Sequence, residues 1–365
     1  MNNITTTRET LFPIYEYNFL MYLFVSIVSI FCSMAGVGGG GILTPIFFIL
    51  GNYSLYYAIP LSMISIMGSS LSRYLILLPK KHTLNNNIPL IDYGILIQMI
   101  PFGAAGSYVG VYFNSLLNEN QLKYIVIGLF SLISIKTYYK TYKIYKKESK
   151  LRNTTNTIYI DGICVPLENN NTSELIETGN INIIKIISGI LLYLTIFALI
   201  GIWKIFNKEW YIGFLQFIYS LSVGFVCILL NNKYKFSPNI ESTYRKSSIF
   251  ALTSFSVGTL STMLGIGGGM IYSIVLLQMK VSPEIIMATN SVATLTGSIV
   301  SSIQYISDNR LYIQIGGFCF VISSLSGYVG LKCYKNFKKR CNRQSIIVFI
   351  LSNLMVLAVI LVSIK

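Results

Sequence analysis

Two glycine clusters carry the clearest chemical signal in the chain. Ser33-Met34-Ala35-Gly36-Val37-Gly38-Gly39-Gly40-Gly41 and Thr262-Met263-Leu264-Gly265-Ile266-Gly267-Gly268-Gly269-Met270 each lie inside a long apolar stretch. Each glycine costs a helix about 1 kcal/mol relative to alanine, so such runs interrupt it. Unwound backbone at membrane depth persists only where protein encloses it or a wet cavity borders it. Glycine bares its backbone N–H, and the N-terminal end of a half-helix adds positive potential. These are the ingredients of an anion site near the bilayer midplane. The candidate donors are Gly38, Gly39, Gly40, Gly267, Gly268 and Gly269.

Neutral side-chain donors stand on the segments that follow. Ser62 and Ser65 come after the first cluster, and Asn290, Ser291 and Thr294 after the second. Hydroxyl and amide groups bind an oxyanion without the desolvation cost of a buried lysine or arginine. Ser69 and Thr296 are read as interhelical packing residues. Arg73 precedes Pro79-Lys80-Lys81 and is read as a cation that snorkels to the interface. In a tilted span it would stand instead at the mouth of an anion path.

Other chemistries lack their residues. Gly36 to Gly41 satisfies G-x-G-x-x-G, but a dinucleotide site needs a preceding strand and an acid about 20 positions on. Tyr53 to Met63 holds no acid, and no GK[ST] follows either cluster. None of the 13 acidic residues lies near the centre of an apolar run, and the sole histidine is His82. No hydrolytic pair and no intramembrane proton relay can be assembled from these. The six cysteines form no CxxC. The expectation is a non-enzyme with no metal and no cofactor.

The elements that must position the clusters follow from composition. With 53% apolar and 11% charged residues over 365 positions, the chain is not an ordinary soluble globule, which carries about 25% charged residues. The net charge of +15 sits at the ends of apolar runs. Lipid headgroups, not nucleic acid, are therefore the expected counter-charge. Runs of roughly span length cover 18–50, 55–78, 93–114, 122–138, 184–206, 210–231, 248–279, 284–305, 311–332 and 345–364. The expected fold is an all-α polytopic membrane protein. It has about ten transmembrane helices in two homologous repeats, with glycine-broken helices at the midplane. The expected organisation is a polar tail (1–17), repeat 1 (18–138), an extramembrane loop (139–183), a linking helix pair (184–247) and repeat 2 (248–365).

The duplication rests on three ordered matches. The glycine clusters align without a gap at an offset of 229 residues, which also pairs Gly68-Ser69 with Gly297-Ser298. Tyr108-Val109-Gly110 recurs as Tyr328-Val329-Gly330. Counting spans makes the repeats parallel. The basic segment Lys332 to Arg343 would then lie outside, against the positive-inside rule, and one re-entrant segment would make the repeats inverted. The sequence leaves both orientations open.

The paired GxGGG segments are each followed by a small-polar stretch beginning with alanine, Ala58-Ile59-Pro60-Leu61-Ser62 and Ala288-Thr289-Asn290-Ser291. In this the chain resembles the sulfite exporter TauE/SafE family of membrane permeases. Pro45 fits the first motif, whereas Ile274 stands where a second proline is usual, and Ile59-Pro60 departs from the usual small-polar pair. The resemblance covers 18–138 and 248–364, and 139–247 is a longer insertion than it leads one to expect. It implies export or uptake of a small sulfur-containing anion such as sulfite, a sulfonate or sulfoacetate, and two repeats meeting around the glycine breaks make alternating access the expected mechanism. The expected partners are that anion and membrane lipid, and a homo-oligomer is compatible with both. The rival readings are a non-transporting scaffold or assembly factor docking through 139–183, and an anion channel.

Overall fold

The computed structural model describes residues 16–36, 40–81, 89–152, 157–160, 163–166, 183–207, 210–234, 244–279, 281 and 283–340, with isolated positions between 349 and 363. These residues form eleven helices: α1 (Glu16–Ala35), α2 (Gly40–Ile49), α3 (Leu55–Leu77), α4 (Tyr93–Leu116), α5 (Glu119–Arg152), α6 (Ile183–Asn207), α7 (Trp210–Tyr234), α8 (Tyr244–Leu264), α9 (Gly269–Gln278), α10 (Pro283–Ser307) and α11 (Ile313–Arg340). A two-stranded antiparallel hairpin, β1 (Thr157–Ile160) and β2 (Ile163–Pro166), lies between α5 and α6. Seven helices, α3, α4, α5, α7, α8, α10 and α11, are long and apolar enough to cross a membrane. The expected tail at 1–17 and the tenth apolar run at 345–364 fall mostly outside the described residues.

The glycine clusters are reversals, not interruptions of a continuous helix. At Gly36 and Gly265 the backbone turns left-handed, with φ of 71° and 72°, a conformation that glycine adopts without a Cβ penalty. α9 then folds back along α8, where the Tyr272 hydroxyl donates to the Ser254 carbonyl at 3.3 Å. α2 folds back along α1, which brings Gly51 to within a side-chain contact of Met21. Each expected midplane-broken helix is therefore a helical hairpin, with a long arm (α1 or α8) and a ten-residue short arm (α2 or α9). Hydropathy cannot separate the two cases, because both arms are apolar.

Contacts fix the helix directions. Arg310, just past α10, lies 4.0 Å from the centroid of the Tyr56 ring at the start of α3, and Tyr57 stacks on Tyr312 at 4.7 Å. Arg310 also donates to Asn114, near the end of α4, at 2.9 Å. The Leu55 N–H donates to the Glu119 carboxylate at 3.2 Å. One end of the bundle thus collects the starts of α3, α5 and α11 with the ends of α4 and α10. At the other end, Asp92 caps α4 by accepting from the Ile95 N–H, and the Asp92 N–H donates to Thr289 on α10. α3 and α10 are antiparallel. α11 runs parallel to α3, with Ser72 beside Ser324 and Gly68 against the Phe320 carbonyl.

The tightest packing joins the two halves of the chain. Gly110 on α4 backs onto the Thr259 carbonyl of α8, and Gly330 on α11 onto the Ile30 carbonyl of α1. A Cβ at either position would push these backbones apart. The pair matched in the sequence thus makes equivalent contacts in opposite halves.

One boundary differs from expectation. The loop expected from residue 139 opens as a continuation of α5, which runs to Arg152. Lys140, Lys143, Lys146 and Lys147 end the apolar stretch without ending the helix, since lysine is a good helix former and the segment has no glycine or proline.

Candidate functional site

Each glycine reversal is held by side chains from the other half of the chain. The Thr44 hydroxyl on α2 stands 2.9 Å from Ser62 Oγ, 3.2 Å from the Gly265 carbonyl and 3.3 Å from the Leu264 carbonyl. The Ser62 hydroxyl reaches the Gly265 carbonyl at 3.1 Å and its own helix at the Ile59 carbonyl at 2.7 Å. In the reciprocal contact, Asn290 on α10 donates from Nδ2 towards the Gly36 carbonyl at 3.3 Å. It also reaches the Gly269 carbonyl at 2.7 Å and Ser273 Oγ at 3.1 Å. At the offset of 229, Thr44 corresponds to Ser273, Ser62 to Ser291 and Gly36 to Gly265. Asn290 has Leu61 as its counterpart, so the two half-sites are chemically unequal.

The helix ends at these reversals carry opposite potentials. α1 and α8 bring C-terminal carbonyls, which the hydroxyls and the Asn290 amide satisfy. α9 brings an N-terminus whose first-turn N–H groups have no partner within the helix. Gly268, the N-cap residue at φ 66°, offers no side-chain cap. The Gly269 N–H turns back onto the Gly267 carbonyl at 2.7 Å.

The sequence-derived candidates are distributed as follows. Gly267, Gly268, Gly269, Ser62 and Asn290 meet at the reversals. Gly40 opens α2, while Gly38 and Gly39 lie outside the described residues. Ser65 and Ser291 are fully buried and donate to their own helices, at the Leu61 and Ala288 carbonyls. Thr296 and Ser69 also bond their own helices. Thr294 does more. Its hydroxyl lies 2.8 Å from the Asn290 carbonyl, 3.0 Å from Ser70 Oγ and 3.3 Å from Arg73 Nη2.

Arg73 overturns its snorkelling reading. It is completely buried, and Nη2 donates to Ser70 Oγ at 2.8 Å. Side chains on a helix slant towards its N-terminus. The long arm of Arg73 is therefore carried back one turn into the bundle, away from Pro79-Lys80-Lys81. Thr44, Ser70 and Ser273 were not singled out from sequence, although the offset that pairs Gly36 with Gly265 also pairs Thr44 with Ser273. Arg310 is a second buried arginine, placed by the turn after α10.

Buried polar side chains on apolar helices and seven span-length segments among the described residues are those of a multi-pass integral membrane protein. A family model described as Sulfite exporter TauE/SafE matches residues 8–159 and 173–358. The chain belongs to that family of membrane transporters and is not an enzyme. The match runs through α6 and α7, so this helix pair is part of the family pattern and not the long insertion expected. Among curated relatives, Sulfite exporter TauE/SafE family protein 3 of Arabidopsis thaliana is 25% identical over 355 residues, covering 90% of this chain and 74% of the relative. Family protein 1 of the same plant is 24% identical over 366 residues, covering 91% and 80%. No solved structure matches the chain.

Proposed function

We propose that this protein is a secondary transporter for a small anion with a sulfur-oxyanion group, such as sulfite or an organosulfonate. It works by alternating access between two inverted repeats. Repeat 1 (18–138) comprises α1 to α4 and the first part of α5, and repeat 2 (248–365) includes α8 to α11. The observation that carries this reading is the reciprocal grip at the reversals: Thr44 and Ser62 on Gly265, Asn290 on Gly36. Each repeat holds the other's unwound backbone, so rocking one repeat against the other would remake the site from the opposite side.

The inverted arrangement also answers the charge conflict. With the glycine clusters as reversals, α11 descends parallel to α3. Lys332 and the bases after it then share an end with Lys80, Lys81 and the far end of α5. α7 runs antiparallel to α4, with Gly213 at Tyr108 and Gly224 at Phe102, and so delivers Lys233 to that same end. The positive-inside rule makes this end cytoplasmic. Exposed Leu191, Leu199, Trp203, Phe214, Ile218 and Phe225 on α6 and α7 would face lipid.

The test is flux in proteoliposomes containing the full chain. Sulfite or methanesulfonate should be taken up and should exchange with itself across the membrane, while choline should not move. Choline flux without oxyanion flux would contradict the proposal.

A further inference from the structure

Arg73 is a charge without a counter-charge. It lies near the end of α3, but its guanidinium is buried, and Ser70 and Thr294 engage only Nη2. Nε and Nη1 have no hydrogen-bond partner, and no carboxylate of the described residues is paired with the group. An isolated buried cation is strongly unfavourable, and an ionisable residue inside a membrane bundle marks a functional path by default. The other buried arginine is differently placed. Arg310 is held by Asn114 and the Tyr56 ring, which leave only its Nε unpartnered, and it lies about 25 Å away along α3 at 1.5 Å per residue.

Resting on the transporter reading above, we propose that Arg73 is the charge anchor of the transported anion and that the anion's head group carries one negative charge. Nε and Nη1 supply unused N–H donors for oxygen acceptors, while Ser70 and Thr294 hold the guanidinium plane by its remaining nitrogen. Thr294 stands midway along α10 and bonds the Asn290 carbonyl. The anchor is thereby linked through one helix turn to the residue that touches both reversals. The rest of the network is neutral: hydroxyls, an amide and backbone. A monoanion such as hydrogensulfite or a sulfonate is matched by one guanidinium. A dianion would leave one charge uncompensated in the same low-dielectric surroundings. Arginine also matters here as a planar, permanently charged fork that lysine does not reproduce.

The experiment uses the purified full chain in nanodiscs, titrated with methanesulfonate and sulfate. The wild type should bind methanesulfonate at least about tenfold more tightly than the sulfate dianion, and Arg73→Gln should weaken methanesulfonate binding by about tenfold or more. Arg73→Lys should lie between them, and Thr296→Val should match the wild type. If Arg73→Gln does not fold, the double variant Ser70→Ala with Thr294→Val keeps the charge, frees Nη2 and should still lose about tenfold in affinity. A folded Arg73→Gln, or that double variant, binding methanesulfonate like the wild type overturns the anchor while leaving the transporter reading standing. Sulfate bound more tightly than methanesulfonate overturns the single-charge assignment. A wild type that binds no anion removes both the anchor and the transporter reading.

Discussion

Asn290 Nδ2 lies 3.3 Å from the Gly36 carbonyl and 2.7 Å from the Gly269 carbonyl, so one amide joins two chain reversals that are more than two hundred residues apart. Replacing it by alanine would leave both buried carbonyls without this donor. We expect Asn290→Ala to lose about 1–3 kcal/mol of stability, the usual cost of an unsatisfied buried polar partner. Transport should fall as well. Denaturation of the solubilised protein checks the first effect and proteoliposome flux the second. Thr296→Ala, whose hydroxyl serves only its own helix, should change neither appreciably.

The reversals themselves should resist substitution. Gly265→Ala forces a Cβ into a left-handed backbone and against the Ser62 and Thr44 hydroxyls. The conformational part alone amounts to about 1–2 kcal/mol. Gly36→Ala meets Met287 in the equivalent position and should behave alike. A melting temperature unchanged in both variants would remove the left-handed turns from the account.

The matched glycines Gly68 and Gly297 should respond in opposite ways. A Cβ at Gly68 runs into the Phe320 carbonyl, whereas at Gly297 nothing stands within 4 Å. Gly68→Ala should destabilise. Gly297→Ala should be neutral or stabilising by up to about 1 kcal/mol, from helix propensity. Melting curves of the two variants decide it.

Sequence disclosed the clusters, and the offset that matches them, because glycine runs are conspicuous against apolar helices. It did not disclose that the clusters are turns, since period and hydropathy are the same for a kinked helix and for a hairpin of two apolar arms. Arg73 was misplaced for a related reason. Its distance from Pro79 reports the position of its Cα, but the side chain slants the other way and reaches Thr294 from a different helix. Thr44 and Ser273 look like any small polar residues until their shared offset is set beside Gly265 and Gly36.

The proposed inverted repeats predict a membrane sidedness that labelling can check. In a background without other cysteines, native Cys333 on α11 should be labelled by an impermeant thiol reagent from the side that carries Lys80. Asn118→Cys, between α4 and α5, should be labelled from the opposite side. Labelling of both from one side would favour parallel repeats.

Residues 160–172 fall between the two segments matched by the family model. Deleting them should leave anion flux close to that of the full chain. A deletion that abolishes flux in a protein that still folds would favour a docking role for this stretch over a pure permease.

The most direct test of the central claim is anion counterflow in proteoliposomes. Vesicles loaded with unlabelled methanesulfonate should accumulate external labelled methanesulfonate transiently above equilibrium. Gly265→Ala and Asn290→Ala proteins of equal folded yield should show a reduced overshoot. Labelled anion that enters without any overshoot would indicate a channel. An overshoot that both variants leave unchanged would contradict the placement of the site at the glycine reversals.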